Sequence, residues 1–138
     1  MTSTTIDLLT ALNTHLSTFE LPDIAAVHLC AHIISGPPVS VQLSCGTPPV
    51  IAAGLLAWAD TLTHITTEAW RVPHGDSLHL SLTGHLPSGI PIQVYGALSI
   101  TTLGLGADLD PGATTTVTLA TLRHLATPGQ ITNEATHG

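Results

Sequence analysis

The sequence predicts an α+β domain in the order αββαβββα, with one mostly antiparallel five-stranded sheet backed by helices. Three observations lead to this fold class. Apolar residues recur at helical spacing in residues 4–19 and 50–63. Apolar and polar residues alternate in later segments, which compact turn sequences separate. The 138 residues are enough for one core and too few for two, so we expect a single domain over residues 1–126 and a flexible tail over residues 127–138.

The first predicted helix covers residues 4–19. Thr4 and Asp7 have the spacing of a capping box at its start, and Leu21-Pro22 ends it. Leucines and a phenylalanine at i, i+3, i+7 and i+10 form one apolar stripe, which we expect to face the core. The residues of this stripe are Leu9, Leu12, Leu16 and Phe19.

Residues 24–34 fit two interpretations. As a strand, they would place Val27 on one face and His28 on the other; as a helix, they would run from Pro22-Asp23 to Ser35-Gly36. The strand is favoured because residues 39–44 alternate regularly and the intervening Ser-Gly-Pro-Pro sequence suits a hairpin.

The central helix is predicted over residues 50–63. Thr47 is placed to cap it, and the two prolines that follow lie where a missing N–H is tolerated. Apolar residues cover most of its circumference, which is typical of a helix buried against a sheet.

Three strands of an antiparallel meander are predicted at residues 65–72, 77–85 and 90–100, with Gly96 as a candidate bulge. Residues 103–114 are rich in glycine, aspartate and proline and predict a loop. Thr115 or Thr116 would then cap a short helix through Ala126.

Charge composition excludes several classes of function. The chain has no lysine, and its only fixed cations are Arg71 and Arg123. Against nine Asp and Glu residues they give a formal charge of −7. Nucleic-acid binding depends on several Lys or Arg contacts to phosphate, so we expect no nucleic-acid partner. The longest apolar run, Val50 to Ala59, is about half of a membrane span, so we expect no membrane association. With two cysteines and no export signal, we expect a cytoplasmic location.

Four residues are candidate metal ligands: His28, Cys30, His32 and His79. On a strand, His28 and His32 would be about 13 Å apart, too far for one ion with ligand bonds of about 2.1 Å. On a helix they would be i, i+4 neighbours, as in many zinc sites, but no acidic residue lies between them. A polar or interfacial sheet face is therefore the favoured interpretation of these residues.

The same alternation predicts a weakly charged sheet face that no helix covers. It would carry Ser40, Gln42 and Ser44 beside His28, His32 and His79. Such a face suits packing against a second copy of the chain, and a ligand-binding cup is the more specific alternative.

Cys30 and Cys45 should point to opposite sides of the sheet, which argues against a disulfide between them. We identify no motif for nucleophilic catalysis and no dinucleotide loop.

Three segments carry a resemblance to a known group of proteins: Leu55–Leu62, Ala69–Pro73 and Asp76–Gly84. They resemble small proteins of filamentous actinobacteria that are often found near phage-like or integrative elements. The resemblance covers about residues 50–125, consists of packing and turn patterns, and implies an accessory role without a known activity.

These observations together predict a non-enzymatic protein that acts by association, as a homodimer through its sheet, with no cofactor. The alternative is a small-molecule or metal-binding protein that uses the histidine- and cysteine-bearing sheet face. A phage-related accessory protein is a third hypothesis, which rests on the resemblance alone.

Overall fold

The computed structural model of the protein describes residues 4–31, 36–44, 46–73, 77–99 and 109–127. Within them the chain forms three helices and one open six-stranded sheet. The helices are α1 (Thr5–Thr18), α2 (Pro48–Ala59) and α3 (Leu119–Leu125). The strands are β1 (Ile24–Leu29), β2 (Val39–Leu43), β3 (Thr63–Arg71), β4 (Ser77–His85), β5 (Pro91–Ser99) and β6 (Thr114–Thr116).

The strand order across the sheet is β1-β2-β5-β4-β3-β6. The hairpin β1–β2 and the meander β3–β4–β5 are both antiparallel, as predicted. The two units meet where β2 pairs in parallel with β5. The α+β class is therefore confirmed, while the sheet has six strands instead of five and is mixed. The parallel pair arises because the chain passes through α2 after β2, a crossover long enough to place the hairpin beside the last strand of the meander.

The sixth strand lies where the sequence predicted the end of a loop and the start of a helix. Residues of β6 pair with β3, from Trp70 opposite Thr114 to Glu68 opposite Thr116. The cap of α3 is Thr118, whose side chain accepts a hydrogen bond from the Thr121 N–H. The predicted cap at Thr115 or Thr116 is therefore wrong, because both residues belong to a strand that pairs with the edge of β3. Residues 109–113 of the predicted loop form turns without helix or strand, while its residues 103–108 lie outside the described residues, as do residues 128–138 of the predicted tail.

Helix α1 forms where it was predicted, with a different face toward the core. The capping box is confirmed: the Asp7 N–H donates to Thr4 Oγ1 at 3.1 Å, and the Thr4 N–H donates to Asp7 Oδ2 at 3.0 Å. Leu8, Leu12 and His15 are buried, whereas Leu9 is 53 % exposed. The predicted stripe is therefore wrong at Leu9 and Phe19, which are exposed, and correct at Leu12 and Leu16, which pack in or against the core.

The strand interpretation of residues 24–29 is confirmed, since β1 pairs with β2 from Leu29 opposite Val39 to Ile24 opposite Leu43. Helix α2 begins and ends a few residues before its predicted bounds. Thr47 is its N-cap residue but makes no side-chain cap hydrogen bond. Trp58 of α2 is fully buried and is the largest fully buried side chain of the core.

The core lies between the helices and one face of the sheet. Gly96 belongs to that face and is not a bulge, because the β4–β5 register runs through it without interruption. A β-carbon placed on Gly96 would lie 2.7 Å from Ile51 Cγ2 of α2, so glycine is needed for the close approach of the helix. Register shifts occur instead between Ile24 and Ala26 and between Thr63 and Thr66.

Candidate functional site

We call the face of the sheet that points away from the helices the open face, and three of its rows of paired side chains form the candidate site. Residues that pair across neighbouring strands share a face, with strands about 4.8 Å apart and successive rows about 7 Å apart. The first row is Thr114, Trp70, His79 and Ala97. The second row is Thr116, Glu68, Ser81, Tyr95 and Gln42. The third row is Thr66, Thr83, Gln93, Ser40 and His28.

A concave cavity of about 460 Å³ lies on the open face. We call it the cup. Its volume falls within the range of about 300–1,000 Å³ that small-molecule sites occupy. The small Ser81 side chain lies between larger neighbours on both adjacent strands, because it pairs with Glu68 on one side and Tyr95 on the other. The residues that line the cup are Ser40, Glu68, Trp70, His79, Ser81, Gln93, Tyr95 and Thr114.

Three rings form a continuous aromatic wall of the cup. The Trp70 and His79 ring centroids are 5.2 Å apart in an edge-to-face arrangement. The His79 and Tyr95 centroids are 5.6 Å apart and the rings are stacked. The Tyr95 hydroxyl donates to Gln42 Oε1 at 3.4 Å. Edge-to-face and offset-stacked arrangements of this kind are the favoured geometries of aromatic pairs, so the three rings stabilise one another's positions.

The cup carries one formal charge among its described lining residues, the Glu68 carboxylate. Burial lowers the pKa of His79, so this imidazole is neutral at neutral pH. Arg71 points to the other side of the sheet, where its Nη1 donates to the Leu109 carbonyl at 2.6 Å. Arg123 lies on α3. The cup is therefore electrostatically negative and carries no cation to attract a phosphate or a carboxylate.

The structure separates the sequence-predicted metal ligands. His79 lies in the cup, and His28 lies on the same face, as predicted, in the third row at the β1 edge. Three strand spacings and four residues along the strand put them about 20 Å apart. Cys30 follows β1 and its N–H donates to the Pro38 carbonyl at 2.8 Å. His32 and Cys45 lie outside the described residues, so the roles predicted for them stay predictions.

No group of three or more potential metal ligands occurs among the residues that the structure describes. The three rows of the open face therefore offer aromatic and imidazole rings, hydroxyls, the amides of Gln42 and Gln93 and the carboxylate of Glu68. These groups bind by stacking, hydrogen bonding and charge attraction.

A second cavity of about 320 Å³ is mostly apolar and lies between α1 and the β4–β5 turn. His15 lines it and stacks against the buried Trp58, with ring centroids 5.5 Å apart. The Thr61 hydroxyl donates to the Trp58 carbonyl, so it accepts from His15 Nε2, at 2.8 Å. His15 is therefore the Nε2–H tautomer, and its Nδ1 is buried without a hydrogen-bond partner. Burial lowers the pKa of His15.

Sequence reasoning did not identify Glu68, Trp70, Gln93 or Tyr95 as residues of the site. Alternation around the buried Ala69 would have put Glu68 and Trp70 on one face. The missing information was the strand register, which brings Trp70 opposite His79 and Glu68 opposite Ser81.

Comparisons with protein-family models, curated proteins and solved structures found no match to this chain. The resemblance to small actinobacterial proteins therefore stays a prediction. None of the helices in the described part of the chain is long and apolar enough to cross a membrane.

Proposed function

We propose that the protein binds a small organic molecule in the cup. The observation that carries the proposal is the cavity of about 460 Å³, which is lined by the rings of Trp70, His79 and Tyr95 with the small Ser81 between them. A few placed polar groups beside aromatic surface are typical of ligand sites. This was the alternative hypothesis from the sequence, and the concave shape of the open face supports it over flat packing of two copies.

The test is a fragment screen read by amide chemical shifts of the isotope-labelled protein. We expect hits to shift the amides of Trp70, His79, Ser81 and Tyr95. Ser81→Leu would fill the floor of the cup and should abolish these hits. Thr83→Leu is the matched control, because Thr83 is the next residue of β4 on the same face and does not line the cup. The proposal fails if no fragment shifts the cup, or if Ser81→Leu binds the hits as the wild type does.

Self-association is a second candidate, and the edge strand β1 favours it. This strand is at the end of the sheet, and its sequence, Ile-Ala-Ala-Val-His-Leu, contains no Lys, Glu, Asp or Pro that would block pairing. Val27 is 43 % exposed on it. Two copies pairing through Ala26–Leu29, beyond the register shift, would extend the sheet and leave the cup open.

The oligomeric state tests this second candidate. We expect a dimer by light scattering for the wild type and a monomer for Val27→Lys, since a lysine on an edge strand opposes pairing. Leu9→Lys is the matched control, because Leu9 is 53 % exposed and lies on α1. A monomeric wild type, or equal dimerisation of the two lysine variants, would contradict pairing through β1.

A further inference from the structure

We infer that the cup selects an organic cation, an ammonium group with polar substituents such as an amino alcohol. This inference rests on the proposed function and names the class of ligand. It follows from the position of Glu68 next to aromatic surface, in a cup that has no cationic side chain among its described lining residues.

Groups that attract a cation lie on more than one side of the space above Ser81. Glu68 and Tyr95 lie on strands that flank β4, about 10 Å apart across Ser81. Trp70 is the next residue of β3 on the open face, about 7 Å from Glu68. A cation within about 6 Å of an aromatic ring centroid is attracted to the ring face. An ammonium group above Ser81 would therefore have the Glu68 carboxylate on one side, the Tyr95 ring on the opposite side and the Trp70 ring next to the carboxylate.

The remaining lining groups indicate the polar part of the ligand. Ser81 offers a hydroxyl in the second row, and Ser40 and Gln93 offer a hydroxyl and an amide in the third row. Hydroxyl and amide groups both donate and accept hydrogen bonds, so they suit hydroxyl substituents on the ligand. A bare metal ion does not fit as well, since among the described lining residues only Glu68 and His79 are of the usual ligand types.

The charge of the ligand is tested with two molecules of nearly the same shape. Choline carries a quaternary nitrogen, and 3,3-dimethylbutan-1-ol has a neutral carbon in its place. We expect choline to bind more tightly than the alcohol, by titration of the cup amide shifts. Glu68→Gln removes the charge and keeps the side-chain size, and we expect it to weaken choline binding about three- to tenfold with little change for the alcohol.

The matched control is Glu20→Gln, which makes the same charge change at an exposed residue just after α1. We expect it to bind choline nearly as the wild type does. Two results would overturn the inference of a cationic ligand and leave the proposed function standing. One is equal binding of choline and the alcohol, and the other is fragment binding in the cup without choline binding. If no compound shifts the cup amides, the proposed function and this inference both fail. Equal losses in Glu68→Gln and Glu20→Gln would also overturn the inference.

Discussion

Gly96→Ala tests how closely α2 packs on the sheet. The added β-carbon would lie 2.7 Å from Ile51 Cγ2 and 3.0 Å from Ile51 Cδ1. Non-bonded carbons prefer about 3.5–4.0 Å, so the side chain or the helix must retreat by roughly 0.8–1.3 Å. Ile51 is 1 % exposed and is enclosed by the core, which leaves it little room to move.

The expected cost follows from two opposing effects. Overpacking of a well-filled core costs about 1–3 kcal/mol. Replacing glycine in a strand recovers about 0.5–1 kcal/mol, because alanine loses less conformational entropy on folding. We therefore expect Gly96→Ala to lower the free energy of unfolding by about 1–2 kcal/mol, as measured by urea denaturation followed by circular dichroism.

A double-mutant cycle separates this clash from other effects. Ile51→Ala alone should cost about 2–5 kcal/mol, since it leaves a cavity. Combined with Gly96→Ala it should cost less than the sum, because the new methyl group enters that cavity. Gly89→Ala is the control: Gly89 has φ +92° and nothing within 4 Å of its added β-carbon, so its cost should add to that of Ile51→Ala. A Gly96→Ala variant as stable as the wild type, or strict additivity with Ile51→Ala, would refute the close approach.

Other predictions concern titration, backbone strain and helix capping. Because burial lowers the pKa of His15 from its model-peptide value of 6.5, its contribution to stability is complete above about pH 6.5 and is lost as pH falls toward the folded pKa. Between about pH 7 and pH 5, the free energy of unfolding measured in urea should therefore fall less for His15→Phe than for the wild type. The same dependence of this free energy on pH in both proteins would contradict the prediction. His64 has φ 53°, so His64→Gly should be more stable than His64→Ala, by about 1 kcal/mol in the same assay. Thr4→Ala should cost about 1 kcal/mol, because it removes the cap of α1, and an unchanged midpoint would exclude that role.

Local signals were sufficient for most of the secondary structure. The Thr4 and Asp7 pair located the start of α1, and the alternation of β4 located a strand within the bounds that the structure shows. Both signals depend on neighbours in sequence, through a cap or through period-two burial. They therefore do not require knowledge of which elements meet.

The errors concern contacts between distant parts of the chain. His15 is buried because Thr61, 46 residues away, accepts its hydrogen bond and Trp58 stacks on its ring. Thr114–Thr116 form a strand because the edge of β3 is available to pair with them. Neither partner is visible in the local pattern, and a polar residue without a visible partner is normally assigned to the surface.

The candidate site was predictable in composition and not in arrangement. Alternation placed His79 and Ser40 on one face, and β1 places His28 there as well. The register determines that His79 meets Trp70 and Tyr95, while His28 lies at the sheet edge. A one-residue change of register would move every one of these side chains to the other face.

The scarcity of fixed positive charge affects how the cup must be tested. With a formal charge of −7, the whole protein attracts cations, so weak choline binding alone would not identify a site. Glu68→Gln and Glu20→Gln reduce the net negative charge equally, and they differ only in where the charge is lost. Long-range attraction between exposed charges is screened within about 10 Å at 0.1 M salt, so added salt should bring Glu20→Gln to the wild-type affinity. The loss in Glu68→Gln should persist, because the half-buried Glu68 carboxylate contacts the bound cation directly and salt screens such a partly buried pair much less. If salt abolishes both differences, the attraction is a property of the whole surface and not of the cup.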